Sequence, residues 1–231
     1  MNGRVPVIAV DGPSGVGKGT LCQWLANRLG FHLLDSGALY RLTALAALRR
    51  NLALGDESRV AAVAAGLEVE FRAGTDGSPR IFLEGVEVGA DLRSETCGNA
   101  ASQVAALPAV RAALLQRQRD FRRSPGLIAD GRDMGTVVFP DAELKLFLTA
   151  SAEERARRRH QQLSEQGMNA SLKNLASEIA ERDARDRQRA VAPLRPAADA
   201  ETLDTTHSSI AEVCDRALAL ATRRLGLPKN C

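Results

Sequence analysis

At 231 residues, 45% hydrophobic and 26% charged, the chain holds enough apolar material for one well-packed domain with a small insertion. A net charge of +3 suits an anionic small-molecule substrate and falls short of the basic excess that charge-driven nucleic-acid binding requires. No apolar run reaches the ~18 residues of a bilayer span, and Cys22, Cys97, Cys214 and Cys231 are too scattered for a metal or redox pair, so a cytoplasmic protein with reduced thiols is expected.

Val5 to Val10 is an apolar run rich in β-branched residues that ends in a glycine-rich turn, and Leu21, Trp24, Leu25 and Leu29 then recur at helical spacing. Strand, loop and helix follow in that order. Phe31 to Leu34 reads as a second buried strand, and DSGALYRLTALAALRR as a helix capped by Asp35 or Ser36. Between about Leu67 and Val88 the period changes to two: LEVEF, a TDGSP turn and RIFLEGVEV predict a small antiparallel insertion. Two helices come next, the second opened by Pro108. Leu127 to Asp130 and Leu144 to Leu148 return to buried-strand character, and Ser151 with Glu154 stands in capping-box register at the head of a polar helix. A further helix from Leu172 to about Arg189, a strand in AETLDT and a closing helix from Ile210 to Leu225 complete the chain. Strands alternating with helices predict an α/β fold whose parallel sheet binds ligands at the carboxyl ends of its strands.

One such end carries DGPSGVGKGT, Asp11 to Thr20. Gly12, Gly15 and Gly17 let backbone N–H groups turn inward, a helix N-terminus adds positive potential, and Lys18 reaches outer phosphates. Gly19 stands where a Mg²⁺-holding hydroxyl usually follows the lysine, leaving only Thr20 beside it. Taken alone, the other polar segments have ordinary readings. DSGALYR is a capped surface helix, IADGRD a charged turn, and ERDARDRQR an intrahelical Asp–Arg ladder. RARRR, Arg155 to Arg159, places cations near a helix N-terminus, where the macrodipole disfavours them, and so suggests a use.

The GxxGxGKGT variant is typical of nucleoside monophosphate kinases. Together with LLDSGALYR, NAASQVA, IADGRDMGTVVFP and ERDARDRQRAVAPL, from Val7 to about Pro196, it resembles the bacterial cytidylate kinases. The resemblance implies a P-loop kinase across residues 1–231: a five-stranded parallel sheet flanked by helices, an acceptor-binding insertion at about 60–100 and a helical lid at about 151–170. It implies ATP held by Gly12, Pro13, Ser14, Gly15, Val16, Gly17, Lys18, Gly19 and Thr20, with Mg²⁺ carried by the ATP phosphates and water, Asp130 organising it through water, and no direct protein ligand. CMP or dCMP falls to Ser36, Arg41, Ser102, Arg111, Arg132, Asp133, Arg182, Asp186 and Arg189. Arg41, Arg132 and Arg189 grip its phosphate, Arg182 and Asp186 its ribose, and Asp133, Arg111 and Ser102 its base. A carboxylate attracts the cytosine amino group and repels the uracil carbonyl. Phosphoryl transfer then rests on Lys18, Asp130, Arg132, Arg189 and a lid arginine, with Arg155, Arg158 and Arg159 all eligible and Arg158 carried forward. A monomer acting without nucleic acid or membrane is expected. A kinase for UMP or shikimate is a second enzymatic reading. A binding module, either a nucleotide-operated switch or an RNA-binding protein using its arginines, is a third reading; against it stand only Trp24, Tyr40 and six phenylalanines for base stacking, and basic residues interleaved with acids.

Overall fold

The computed structural model describes residues 4–73, 79–165, 167 and 169–226. The TDGSP turn expected in the insertion lies largely outside them. Two compact units form, Met1–Asp35 with Gln118–Cys231, and Ser36–Arg117.

The first unit is built on β1 (Val7–Asp11), β2 (His32–Asp35), β6 (Leu127–Gly131), β7 (Leu144–Thr149) and β8 (Glu201–Asp204), which pair in the order β2-β6-β1-β7-β8. Every pairing is parallel. Each residue of β1 is buried, so the strand is covered on both faces and reads as a continuous apolar run rather than an alternating one. On one face Ile8, Val10, Ile128, Leu146 and Leu203 pack against Leu21, Leu25, Val213 and Ala217 of α1 (Lys18–Leu29) and α9 (Ile210–Leu225). A π-helical turn, Met134–Val138, follows β6 and is closed by Phe139 N–H donating to the Met134 carbonyl at 2.7 Å. The polar helices α7 (Ala152–Glu165) and α8 (Leu172–Gln188) also belong to this unit. Ser209 and Glu212 cap α9 reciprocally. At α7 only half of the expected box forms. Ser151 Oγ accepts from Glu154 N–H at 3.2 Å, but the Glu154 carboxylate turns to Arg157 and Arg158, because two cations outbid one neutral N–H.

The second unit contains α2 (Ser36–Arg49), α3 (Glu57–Ala65), an antiparallel sheet of β3 (Val69–Ala73), β4 (Pro79–Leu83) and β5 (Val86–Glu87), then α4 (Gly89–Arg93), α5 (Glu95–Val104) and α6 (Pro108–Arg119), at whose end the unit stops. Glu84 and Gly85 join β4 to β5 with φ of 51° and 77°, the two positive values of a type I′ hairpin turn. Leu42, Ala46, Val63, Leu83, Leu92 and Cys97 form its core. Among the described residues no helix is long and apolar enough to cross a membrane.

Candidate active site

The loop between β1 and α1 is shaped by Gly15 and Gly17, at φ 79° and 89°, and Gly17 serves as the left-handed N-cap of α1. Lys18 is buried and folds back so that Nζ donates to the Pro13 carbonyl at 2.9 Å and stands 3.9 Å from Asp130 Oδ1. Burial, reinforced by the Arg132 charge, lowers the Lys18 pKa to about 8, while burial raises that of Asp130 to about 6 against the pull of Lys18. This lysine and carboxylate share one desolvated corner at the ends of β1 and β6.

A cavity of about 610 Å³ opens beside the loop, walled by Gly15, Val16, Gly17 and Thr20, by Glu154 and Arg157 to Arg159 of α7, and by Thr205, Ser209 and Ile210 beyond β8. The loop glycines and the row of guanidiniums on this wall suit a polyphosphate. Arg158 Nε donates to Glu154 Oε1 at 2.8 Å, and its terminal nitrogens donate to Thr205 Oγ1 at 3.2 Å and the Thr205 carbonyl at 2.5 Å. Hydrogen bonds from Arg157 and Arg158 hold the Glu154 carboxyl down at about 2. Arg157 is spread over Glu154 and solvent, and Arg159 bonds Gln162 at 2.6 Å. Arg155 is committed elsewhere, buried on Asp183 and on the Ser14 carbonyl.

Beyond β6, Arg132 Nε donates to Asp186 Oδ2 of α8 at 2.9 Å. Burial alone would raise the Asp186 pKa, yet Arg132, Arg189 and Arg182 together hold it below the usual carboxylate range. The structure therefore gathers Arg132, Arg182 and Arg189 around the Asp186 carboxylate. Asp133, beside them in sequence, is 2% exposed.

In the second unit Ser36 opens α2, where it is buried. Arg41 on the same helix donates to the Leu92 carbonyl at 2.7 Å. Ser102 is buried on α5. Arg111 on α6 donates to the Ala105 carbonyl at 3.2 Å, and its guanidinium carbon lies 5.5 Å from the centre of the Tyr40 ring.

Sequence reasoning passes over Tyr40, Asp11, Asp183 and Thr205. Asp11 closes β1 and accepts the Met134 and Gly135 N–H groups, both at 2.8 Å, one on each carboxylate oxygen. Its place at the head of the glycine loop is a usable signal, since a carboxylate at a buried strand end requires partners. The residues also fit a Mg²⁺ ion that travels with a nucleotide. Asp130 offers one carboxylate, Thr20 an exposed hydroxyl, and among the described residues no group of three His, Cys, Asp or Glu side chains is able to cage a metal.

The cytidylate kinase family model matches residues 8–223. A cytidylate kinase of Serratia proteamaculans is 58% identical over 230 residues, covering 100% of both chains, and that of Aeromonas hydrophila is 57% identical over 221 residues, 96% of each. A solved gluconokinase from Sinorhizobium meliloti, 16% identical, superposes with a TM-score of 0.50 over 96% of this chain and 95% of its own, a likeness of fold. With its length matched by that family and its sequence more than half identical to curated members, the chain belongs to the cytidylate kinase family.

Proposed function

We propose that the chain transfers the γ-phosphoryl group of ATP to CMP or dCMP, giving ADP and CDP or dCDP. Family membership supports the reaction, and the observation that carries it to particular residues is the cavity shared by the glycine loop and the α7 arginines. In this reading residues Gly12 to Thr20 hold the triphosphate, Lys18 leaves the Pro13 carbonyl for its outer phosphates, and Arg158 covers the group in flight. Residues at about 60–100 form the acceptor-binding insertion and those at about 151–170 the lid.

An oxygen of the CMP phosphate attacks the γ-phosphorus while the bond to the β-phosphate oxygen breaks. The acceptor is already an anion, so alignment and charge neutralisation carry the step and no general base is needed. Mg²⁺, bound through the ATP phosphates and water, would neutralise charge on the outer phosphates. Arg41, Arg132 and Arg189 grip the acceptor phosphate, Arg182 and Asp186 its ribose, and Ser36, Ser102, Arg111 and Asp133 the pyrimidine and its approach. A buried Asp133 left facing a uracil carbonyl would reject that base by ~10⁴ or more. We read the protein as a cytoplasmic monomer. Among the described residues the cysteines are free and buried, and the large exposed apolar residues Leu48, Val86, Leu172, Val191 and Ile210 are dispersed along the chain.

ADP release measured with CMP, dCMP, UMP and AMP as acceptors tests the reading. CMP and dCMP should turn over, UMP should lag, and Asp133→Asn should narrow the gap between CMP and UMP. Equal turnover of UMP and CMP by the unaltered protein removes the role given to Asp133, and turnover of Arg132→Ala within about twofold of the unaltered protein removes that of Arg132.

A further inference from the structure

We infer that Thr205, in the turn after β8, is a positioning residue for the phosphoryl transfer, locking the Arg158 guanidinium and the Val16 carbonyl of the glycine loop into one hydrogen-bonded unit. The inference rests on the reading of Arg158 as the arginine that meets the ATP phosphates.

Thr205 walls the cavity yet is only 2% exposed, because its polar groups are spent on three separate segments. Its N–H donates to the Thr149 carbonyl at the end of β7 at 2.8 Å. Its Oγ1 lies 3.2 Å from the Val16 carbonyl and 3.1 Å from the Thr149 carbonyl, and accepts from Arg158 Nη1 at 3.2 Å. Its carbonyl accepts from Arg158 Nη2 at 2.5 Å. A hydroxyl has one proton and two lone pairs, so it donates to Val16 or Thr149 while still receiving Arg158.

The guanidinium is consequently fixed at three points: Nε on Glu154, and one N–H of each terminal nitrogen on Thr205. Of the five N–H groups of an arginine, two stay available to a ligand in the cavity, and the side chain has no rotamer freedom left to lose when they engage. The neutral hydroxyl matters as much as its geometry. A second carboxylate here would cancel the charge that a polyphosphate needs, whereas a threonine orients the cation and leaves it charged. Because the same oxygen also reaches Val16, the glycine loop and the arginine share one anchor.

The test is a double-substitution cycle on the full chain, with KM for ATP, KM for CMP and kcat read separately, and a thermal melt to establish folding. Thr205→Val removes the hydroxyl and should lower kcat/KM for ATP about tenfold, the weight of a hydrogen bond to a charged group, with KM for CMP unchanged. Thr205→Ser should restore it. In an Arg158→Ala background Thr205→Val should cost clearly less than in the unaltered protein, since only the hydroxyl's contact with the Val16 or Thr149 carbonyl is left to lose. If the valine methyl against two carbonyls prevents folding, Thr205→Ala removes the same hydroxyl without that contact. Equal cost in both backgrounds, an equal rise in KM for CMP, or a serine variant as impaired as valine overturns the inference while leaving Arg158 in place. An Arg158→Ala protein as active as the unaltered one overturns the reading of Arg158 itself, and the inference with it.

Discussion

Arg155 and Asp183 form a buried bidentate ion pair, Nη2 to Oδ2 at 2.6 Å and Nη1 to Oδ1 at 3.1 Å, and the same guanidinium donates to the Ser14 carbonyl at 3.2 Å. One arginine thus ties α7 to α8 and both to the glycine loop. Removing one partner strands a desolvated charge, so Arg155→Ala should lose about 3–5 kcal/mol in urea denaturation, whereas Arg155→Met with Asp183→Leu should come close to the unaltered protein. The single variant should also bind ATP more weakly, since Ser14 loses its brace. A single variant as stable as the unaltered protein would show that water compensates the exposed carboxylate.

Gly12, just after β1, and Gly19, in the first turn of α1, flank one loop but answer to different constraints. Gly12 has φ 147°, and a Cβ there would collide with the Leu148 backbone oxygen, just past the last residue pair of the β1–β7 ladder. At Gly19 the nearest atom to an added Cβ is Asp130 Oδ2, at 3.8 Å, an ordinary contact. Gly12→Ala should therefore lose more than about 3 kcal/mol or fail to fold. Gly19→Ser should fold normally and melt at or slightly above the unaltered protein, the gain staying below about 1 kcal/mol. Thermal melts of the two side by side decide this. A stable Gly12→Ala would mean that the strand ends part without penalty.

These two glycines also mark how far the sequence speaks. Strand, loop and α1 are legible because a β-branched run, fixed glycines and helical leucine spacing are local signals. Strand β2 starts and ends one residue later than its apolar residues suggest, because pairing of Asp35 with Asp130 extends the ladder beyond the hydrophobic run. Helix α3 is hard to read, since alanines supply much of its apolar content, although Asp56 caps it on Arg59 N–H. Glu154 follows the local capping rule only in part. Asp183 and Thr205 were out of reach, because their partners lie 28 and 47 residues away and single polar residues carry no record of distant contacts. Arg132, Asp186 and Arg189 became a group only through resemblance, since each alone has an ordinary surface reading.

Asp11 gives the stability a distinctive pH dependence. Burial raises its pKa to about 7, although the Gly135 and Met134 N–H groups oppose the shift. A carboxyl whose folded pKa exceeds its unfolded value stabilises the fold fully below about pH 4, and that contribution is lost as pH rises through about 7. Asp11→Asn does not titrate and forfeits one of the two backbone acceptors. The stability advantage of the unaltered protein over this variant should therefore be greatest near pH 4 and shrink by more than about 1 kcal/mol by pH 8. Paired urea melts across that range measure it, and an advantage that grows with pH would mean that the two N–H bonds keep Asp11 ionised throughout.

Asp186 titrates in the opposite sense. Three arginines hold its pKa below the usual range, so its contribution is present above about pH 4 and lost as pH falls through the folded value. Asp186→Asn leaves Arg132, Arg182 and Arg189 without their shared countercharge, Arg132 having been bonded to it at 2.9 Å. The variant should lose about 3 kcal/mol at pH 7, with the deficit narrowing in acid. Inorganic phosphate should repair it, because an uncompensated cluster of guanidiniums is an anion site. Thermal melts with increasing phosphate should show a larger upward shift for Asp186→Asn than for the unaltered protein. Equal shifts would mean that the arginines separate once the carboxylate is gone, and that Asp186 gathers them as well as neutralising them.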